Sequence, residues 1–587
     1  MIKKLIAVVL VCMLALVSVA CSSGSKTPSS DANENTSSNN ESESTPSENG
    51  SSEGESSGDP AFMKFPKPVD VHIGMSVSPV DKTLPPGDSA QDNQYTRYLR
   101  ENFNINVIVD WTAAEGENYN QKVSLAIASG DLPDGLVVND RTYMVRAAKS
   151  GLLYDITDLF EKYASKQVKE IMASTQGRAM ENASYNGRMV SLPNITVDTD
   201  GIYVMMIRKD WLDKLNLPVP KTLSDIEKTA KAFIENKMAG EHTIGIVGPD
   251  KNGRPYSTFL RSSNNRFGFD PVFQAMDAYP GYWLDDGTGK VVYGTLTENT
   301  KKTLELLARW YKEGIIDPEL GTRDSSAEVV NANQAGIFFG PWWSIGYGNG
   351  DSFKNDPNAN WQAYPVYSDD GKWNVRMKTV GTMYTLISKK ASEDVAKAII
   401  IMNNVLVRDE GIFDTSVAIS WYPLRNVMAP ADECEYEYKE LWKILRGEAD
   451  PEDYNIPGNP YKLMYSDAKA IKNVVKPADP NSEMLNVQDF DQTDFGKFQR
   501  FYSLLIGNRP YATITPDKKV YSVTYNQTET MERKWANLQK LEDEAILKII
   551  LGQEPISSFD EFVEKWKAQG GDEITAEVQA EYDKKNK

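Results

Sequence analysis

The sequence predicts an α/β protein of two domains followed by a helical C-terminal region. Short β-branched runs alternate with amphipathic helical stretches from Val69 to about Leu406, which is the signature of mixed sheets covered by helices. The body from about Phe62 to Lys587 is longer than one hydrophobic core ordinarily supports. The chain closes on "FDEFVEKWKAQGGDEITAEVQAEYDKK", whose apolar residues recur at helical spacing.

The N-terminus places Lys3 and Lys4 before an apolar run from Leu5 to Ala20, in the order of a secretory signal. The run is shorter than the ~20 residues a membrane span needs. Cys21 follows in "SVAC", which resembles a bacterial lipobox with Ser18 in place of the usual leucine. Residues 1–20 are therefore expected to be a lipoprotein signal peptide, and Cys21 the lipidated residue. From Ser22 to about Asp59 the chain is almost entirely Ser, Asn, Glu, Gly, Thr and Pro, a composition that cannot offset its own ordering entropy. Residues 21–61 are read as the lipidated cysteine and a flexible tether.

In the body, "VDVHIGMSV" (Val69 to Val77), "INVIVDW" (Ile105 to Trp111) and "DGLVVND" (Asp134 to Asp140) read as strands. Helices Gln94 to Asn104 and Asn118 to Gly130 separate them. Ligands of open α/β sheets bind beyond the carboxyl ends of strands, which marks Trp111 and the turn Asn139-Asp140-Arg141 by position. A second block begins near Ile202. Thr222 is an N-cap with Asp225 three residues on, and Thr297 caps a helix that stops at Gly314. Asp285 to Gly294 reads as a turn into an edge strand, and Ser392 as the cap of a late helix. Between these lies "GIFFGPWWSIGYGNG" (Gly336 to Gly350). Alternation on a strand would let at most one of Trp342 and Trp343 join Ile337 and Phe339 in the core.

Composition excludes several classes of function. The formal charge of −19, or −21 once Lys3 and Lys4 leave with the signal, argues against nucleic acid as a partner. Cys12 departs with the signal and Cys434 has no intrachain partner, so neither a disulfide framework nor a Cys-rich zinc site is expected. His72 and His242 are the full supply of imidazole, too few and too far apart for a histidine triad or a multi-histidine metal centre. No Walker or GxGxxG sequence appears, and no cofactor is implied.

The run Ala128 to Phe160 ("ASGDLPDGLVVNDRTYMVRAAKSGLLYDITDLF") resembles family 1 extracellular solute-binding proteins, the carbohydrate receptors of ABC importers. So do "YNGRMVSLP" from Tyr185, "IRKDWLDKLNLPVPKTLSDIEKTAKAF" from Ile207, "WYKEGIIDPEL" from Trp310 and "GIFFGPWWS". These segments fall in family order, and the nearest subgroup is the large oligosaccharide-receptor lipoproteins of Gram-positive bacteria. The resemblance implies a two-lobed, periplasmic-binding-protein-like (type II) fold with several interlobe crossings. One lobe would be 62–197 plus 379–420, and the other 198–378 plus 421–587. It further implies a lipid-anchored, monomeric, non-enzymatic receptor on the extracellular face of the membrane, with a carbohydrate ligand and permease subunits as partners. A cell-surface glycoside hydrolase and a sugar sensor or adhesion lipoprotein are the competing readings.

By resemblance to the maltose-receptor branch, Trp342 would stack on a sugar ring while Trp343 turns into the lobe or towards the rim. Asp140 and Arg141 would share one diol through charge-assisted hydrogen bonds. Trp111 is a second stacking candidate, and Trp283, Tyr203, Trp421 and Tyr422 are further aromatic candidates. Many relatives carry a calcium loop after the helix that matches Thr222 to Phe233. Here that region reads "HTIGIVGPDKNGRPY", too poor in oxygen ligands for a calcium site, so no metal is expected.

Overall fold

Nine strands build the two main sheets: β1 (Val69–Val77), β2 (Ile105–Ala114), β3 (Gly135–Val138), β4 (Ser191–Pro193), β5 (Tyr203–Arg208), β6 (Ile244–Ile246), β7 (Ala335–Pro341), β8 (Trp361–Tyr364) and β9 (Tyr384–Ile387). The computed structural model describes residues 58–408 and 411–585. The expected signal peptide, Cys21 and the tether as far as Ser57 lie outside the described residues, and no described helix is long and apolar enough to cross a membrane.

The first sheet has the order β2-β1-β3-β9-β4, with β1 parallel to both β2 and β3 and β9 antiparallel to β3 and β4. The second has the order β8-β5-β7-β6, with β5 antiparallel to β7 and β8. Side-chain alternation decides which face each residue covers. On the second sheet Met205, Ile207, Ile337 and Phe339 point into a core shared with the helices Glu298–Lys312 and Glu529–Ile550. Val204, Met206 and Phe338 point the other way, onto Glu433–Arg446 and Phe495–Tyr502. Both faces are thus sealed by helices, and the helical C-terminal region is what covers them.

Local signals in the sequence fix the helix ends. Thr222 and Asp225 form a reciprocal capping box, Thr297 Oγ1 accepts from Thr300 N, and Ser392 Oγ accepts from Val395 N. Gly130 closes the helix Glu117–Ser129 at φ 70°, a left-handed conformation that costs glycine little.

The chain passes between the sheets on adjacent segments, from β4 to β5 and again before β9. Lys378 ties these together: its buried ammonium donates to the Thr196 carbonyl (3.0 Å), Thr196 Oγ1 (2.8 Å) and the Val380 carbonyl (3.2 Å). Burial pushes that ammonium down to about 8, with Asp198 and Asp200 opposing the shift. Tyr422, Leu424 and Met428 pack in the core of the first sheet, and Ile195 bridges Met428. The segment that contacts this sheet therefore reaches Met428.

Candidate ligand-binding site

Because β1, β2 and β3 are parallel, their carboxyl ends share one edge of the sheet. A cavity of about 280 Å³ opens there. Ser76 and Ser78 at the end of β1, Glu115 just past β2, Asn139 just past β3, Met383 before β9, and Ser420, Tyr422, Leu424 and Arg425 line it. This is the position at which the carboxyl-end rule for open sheets places a ligand.

Trp111 lies beside this cavity rather than on its wall. Its ring packs on Gly74, where an added Cβ would stand 2.2 Å from the indole, and it meets Tyr119 at 5.7 Å between centroids. Gly74 and Tyr119 both line the cavity, so Trp111 acts as their backing. Lys122 Nζ sits 4.8 Å over the same indole.

Asp140 and Arg141 each have a partner within the chain. Asp140 Oδ1 caps the following helix by accepting from Thr142 N at 2.7 Å. The Arg141 guanidinium turns to the carbonyls of Asn182 (2.8 Å) and Ser184 (3.0 Å), which lie at the end of the helix Arg178–Ala183. Asn139 is the residue of that turn which reaches the cavity. Arg141 instead borders a separate cavity of about 260 Å³ with Arg178, Lys378, Tyr521 and Tyr525.

On the second sheet, β7 ends at Pro341 and the backbone enters a 3₁₀ turn, Trp342–Ile345. Strand alternation therefore stops short of the two tryptophans, and both are half-buried. Trp342 packs against the core cluster that holds Phe338 and donates its indole N–H to Asp200 Oδ1 (3.1 Å). Trp343 donates to Asn264 Oδ1 (3.0 Å), and Arg266 lies 5.8 Å over its ring. The Asn264 N–H in turn donates to the Asp200 carbonyl (3.0 Å). Burial raises the Asp200 carboxyl, while Lys378 and the Trp342 N–H oppose the shift. One carboxylate thus joins the crossing segments to the tryptophan turn.

Of the other aromatic candidates, Trp283 and Tyr203 are buried in the architecture and Tyr422 reaches the cavity. Trp283 is fully buried among Tyr293 (4.8 Å), Trp566 (6.3 Å) and Trp535 (6.4 Å), so no ligand reaches its ring. Tyr203 is buried as well, and its hydroxyl accepts from Ser257 Oγ (2.8 Å) and Asn265 N (3.3 Å), which holds the loop carrying Asn264. Trp421 packs half-buried on the first-sheet core, and Tyr422 reaches the cavity wall with its hydroxyl donated to the Met402 carbonyl (2.7 Å).

Sequence reasoning passed over Asp200, Asn264 and Arg425. Asp200 lies in the 3₁₀ turn Asp198–Gly201 and Asn264 in a loop, and their roles depend on contacts 142 and 79 positions away. Arg425 stands four residues past Trp421, and its freedom from partners is a tertiary property. Among the described residues no group of three His, Cys, Asp or Glu side chains is placed to hold a metal ion.

Residues 94–444 match the description "Bacterial extracellular solute-binding protein", more than half of the 587 residues. The chain belongs to that family. It is 23% identical over 466 residues to the polygalacturonan/rhamnogalacturonan-binding protein YtcQ of Bacillus subtilis, covering 78% of this chain and 82% of that one. To lipoprotein LipO of Bacillus subtilis it is 22% identical over 501 residues, covering 79% and 84%. Among solved structures, an HMO-binding ABC-transporter-associated solute-binding protein of Bifidobacterium longum infantis superposes with a TM-score of 0.56 at 14% identity, over 88% of this chain and 99% of that one. The fold is the two-lobed α/β architecture that the sequence led one to expect.

Proposed function

We propose that this family member is the carbohydrate receptor of an ABC importer, binding an oligosaccharide between its lobes and delivering it to membrane permease subunits. The lobes we assign are 62–197 plus 379–420, with the packing of Tyr422 to Met428 extending that lobe, and 198–378 plus the C-terminal helices. In this reading the protein works as a monomer, anchored through a lipid on Cys21 to the extracellular face of the membrane. The likeness to a lipoprotein supports the anchor.

The observation that carries the proposal is the cavity at the carboxyl ends of β1, β2 and β3, whose wall supplies the hydroxyls of Ser76, Ser78 and Ser420 and the Asn139 amide. Such groups match the alternating donors and acceptors of a sugar's hydroxyls. Trp342 and Trp343 would add indole surface for the C–H face of a pyranose. The relative named for binding polygalacturonan and rhamnogalacturonan points to the same ligand class. A ligand that touches both lobes only when they are closed shifts the population to the closed form, which a permease can recognise. No bond is made or broken.

A thermal-shift screen against plant and bacterial oligosaccharides, with product analysis on every hit, tests this reading. A saccharide that raises Tm and is recovered intact is the expected result. Recovery of cleaved product assigns a glycoside hydrolase instead, and stabilisation by non-sugars alone removes the carbohydrate.

A further inference from the structure

Thirteen arginines of the described body pair with a carboxylate within 4.0 Å. Those that do not pair are otherwise engaged: Arg141 and Arg266 donate to backbone carbonyls, Arg408 to the Tyr98 hydroxyl, and Arg509 to the Ala363 carbonyl. Arg261 is exposed to water. Arg425 differs from all of these. It is half-buried on the wall of the strand-end cavity, its side chain has neither a hydrogen bond nor an ion pair among the described residues, and its Nε is buried without a partner, as the Nε atoms of Arg266 and Arg408 also are although their other nitrogens donate. Glu115 is the one carboxylate on the same wall, and it does not pair with Arg425.

The backbone beside it is unusual too. Leu424 has φ 54°, a left-handed conformation in which a branched side chain crowds its own backbone. Strain of this kind persists where surrounding structure enforces it, and it clusters at ligand clamps. The Leu424 side chain is buried over the sheet, where Gly135 must lack a Cβ because one would stand 2.5 Å from Leu424 Cδ1. Leu424 is thereby locked in place, and the chain reverses so that the next residue faces the cavity. Burial lowers the Arg425 guanidinium with no carboxylate to offset it, yet an arginine stays protonated.

Resting on the carbohydrate reading above, we infer that the ligand is an acidic oligosaccharide, and that Arg425 receives the carboxylate of a uronic-acid unit in the cavity at the ends of β1, β2 and β3. A half-buried, partnerless guanidinium is costly to a protein that binds only neutral hydroxyls, whereas a planar carboxylate meets its fork in two parallel hydrogen bonds. The chain's overall charge of −19 repels an anion only weakly at physiological salt, where distant charges are screened beyond ~8 Å. The local cation therefore decides.

The test is calorimetric titration of the full-length chain with oligogalacturonides and oligoalginates, each alongside its carboxyl-reduced, neutral counterpart. The acidic form of at least one series should bind about tenfold or more tightly than its reduced form, and more weakly as salt is raised. Arg425→Gln should abolish that preference, weakening the acidic form by about tenfold or more and the reduced form by less, and Arg425→Lys should keep part of it. Equal or tighter binding of the reduced forms overturns the inference and leaves the carbohydrate reading standing. Unchanged acid binding in Arg425→Gln overturns the role of Arg425. Binding of neither form overturns the inference, and the thermal-shift screen then decides the broader reading separately. The wild-type comparison of acidic and reduced ligands stands even if the glutamine variant fails to fold.

Discussion

The two sheets present their candidate ligand faces with the same local device and the opposite chemistry. Each face carries an arginine next to a bulky residue in the left-handed region: Arg266 beside Phe267 (φ 64°), and Arg425 beside Leu424 (φ 54°). Arg266 is engaged through its Nη2, which donates to the Gly348 carbonyl (2.7 Å) and Asn349 Oδ1 (3.2 Å), and it lies over Trp343, although its Nε is buried without a partner. Its neighbours are settled as well, since Trp342 and Trp343 have both given their N–H groups to Asp200 and Asn264. Arg425 has given nothing. Buried polar groups are nearly always satisfied, so a satisfied group reports on architecture, while an unsatisfied one on a cavity wall reports on what is meant to enter.

The largest test of this contrast strikes the braced face. The loop carrying Asn264 and Arg266 rests on Asp270, which accepts from Ser257 N (2.9 Å) and Asn265 Nδ2 (2.9 Å) and forms a fully buried ion pair with Arg376 (2.8 Å). Asp270→Ala leaves that guanidinium buried and unpaired, and should cost about 3–5 kcal/mol in denaturant unfolding. A loss under about 1 kcal/mol would mean that the loop is not braced this way.

Next in size is a pH effect remote from both faces. Glu542 is buried and accepts from Tyr256 (2.7 Å), Tyr293 (3.0 Å) and Thr295 (3.1 Å), and burial pushes its carboxyl from 4.5 up to about 7. Between those values the native state holds a proton that the unfolded chain releases. Its contribution to stability is therefore full below about 4.5 and lost as pH rises through 7. Glu542→Gln should remove roughly 2–3 kcal/mol of that pH dependence, read as the difference between wild-type and variant unfolding at pH 4.5 and pH 8. Parallel curves would show that Glu542 does not titrate in this window.

Smaller still is Trp343→Ala. This should weaken saccharide binding by about tenfold with little change in Tm, because the ring is outside the core clusters. Trp342→Ala should lower Tm as well, since that ring packs against the core. If the two variants behaved alike, the distinction between a packed and a presented indole would fail. The smallest expected change is the stability of Arg425→Gln, within about 0.5 kcal/mol of wild type, because no partner is lost. A marked destabilisation would place Arg425 on the architectural side of the comparison.

Local chemistry made much of this legible in advance. The cap at Thr222 with Asp225, the stop at Gly130, the strand Val69–Val77 and the presence of a strand through Ile337 and Phe339 follow from neighbours within a few residues, and each was readable from the text. The carboxyl-end rule marked Asn139, which lines the cavity, and Trp111, which lies inside a strand that runs on to Ala114 and packs behind Gly74. Where assignments depended on partners far along the chain they diverged. Asp140 serves its own helix, Arg141 serves a helix end 41 to 43 residues away, and Trp283 belongs to an aromatic core completed by Trp535 and Trp566. The twin tryptophans lie in a 3₁₀ turn, because Pro341 ends the strand one residue before them.

Short-range chemistry sufficed for the elements and the family: apolar period, caps and turn residues act over a few residues, and an ordered set of family segments needs no folding to be read. Which polar groups are spoken for depended on long-range packing. Asp270 and Arg376 are 106 positions apart, Asp200 and Trp342 are 142 apart, and each pair is joined only when the sheets and crossing segments bring it together. The partnerless state of Arg425 belongs to the same class of fact, since the absence of a partner is defined by everything that folds around it.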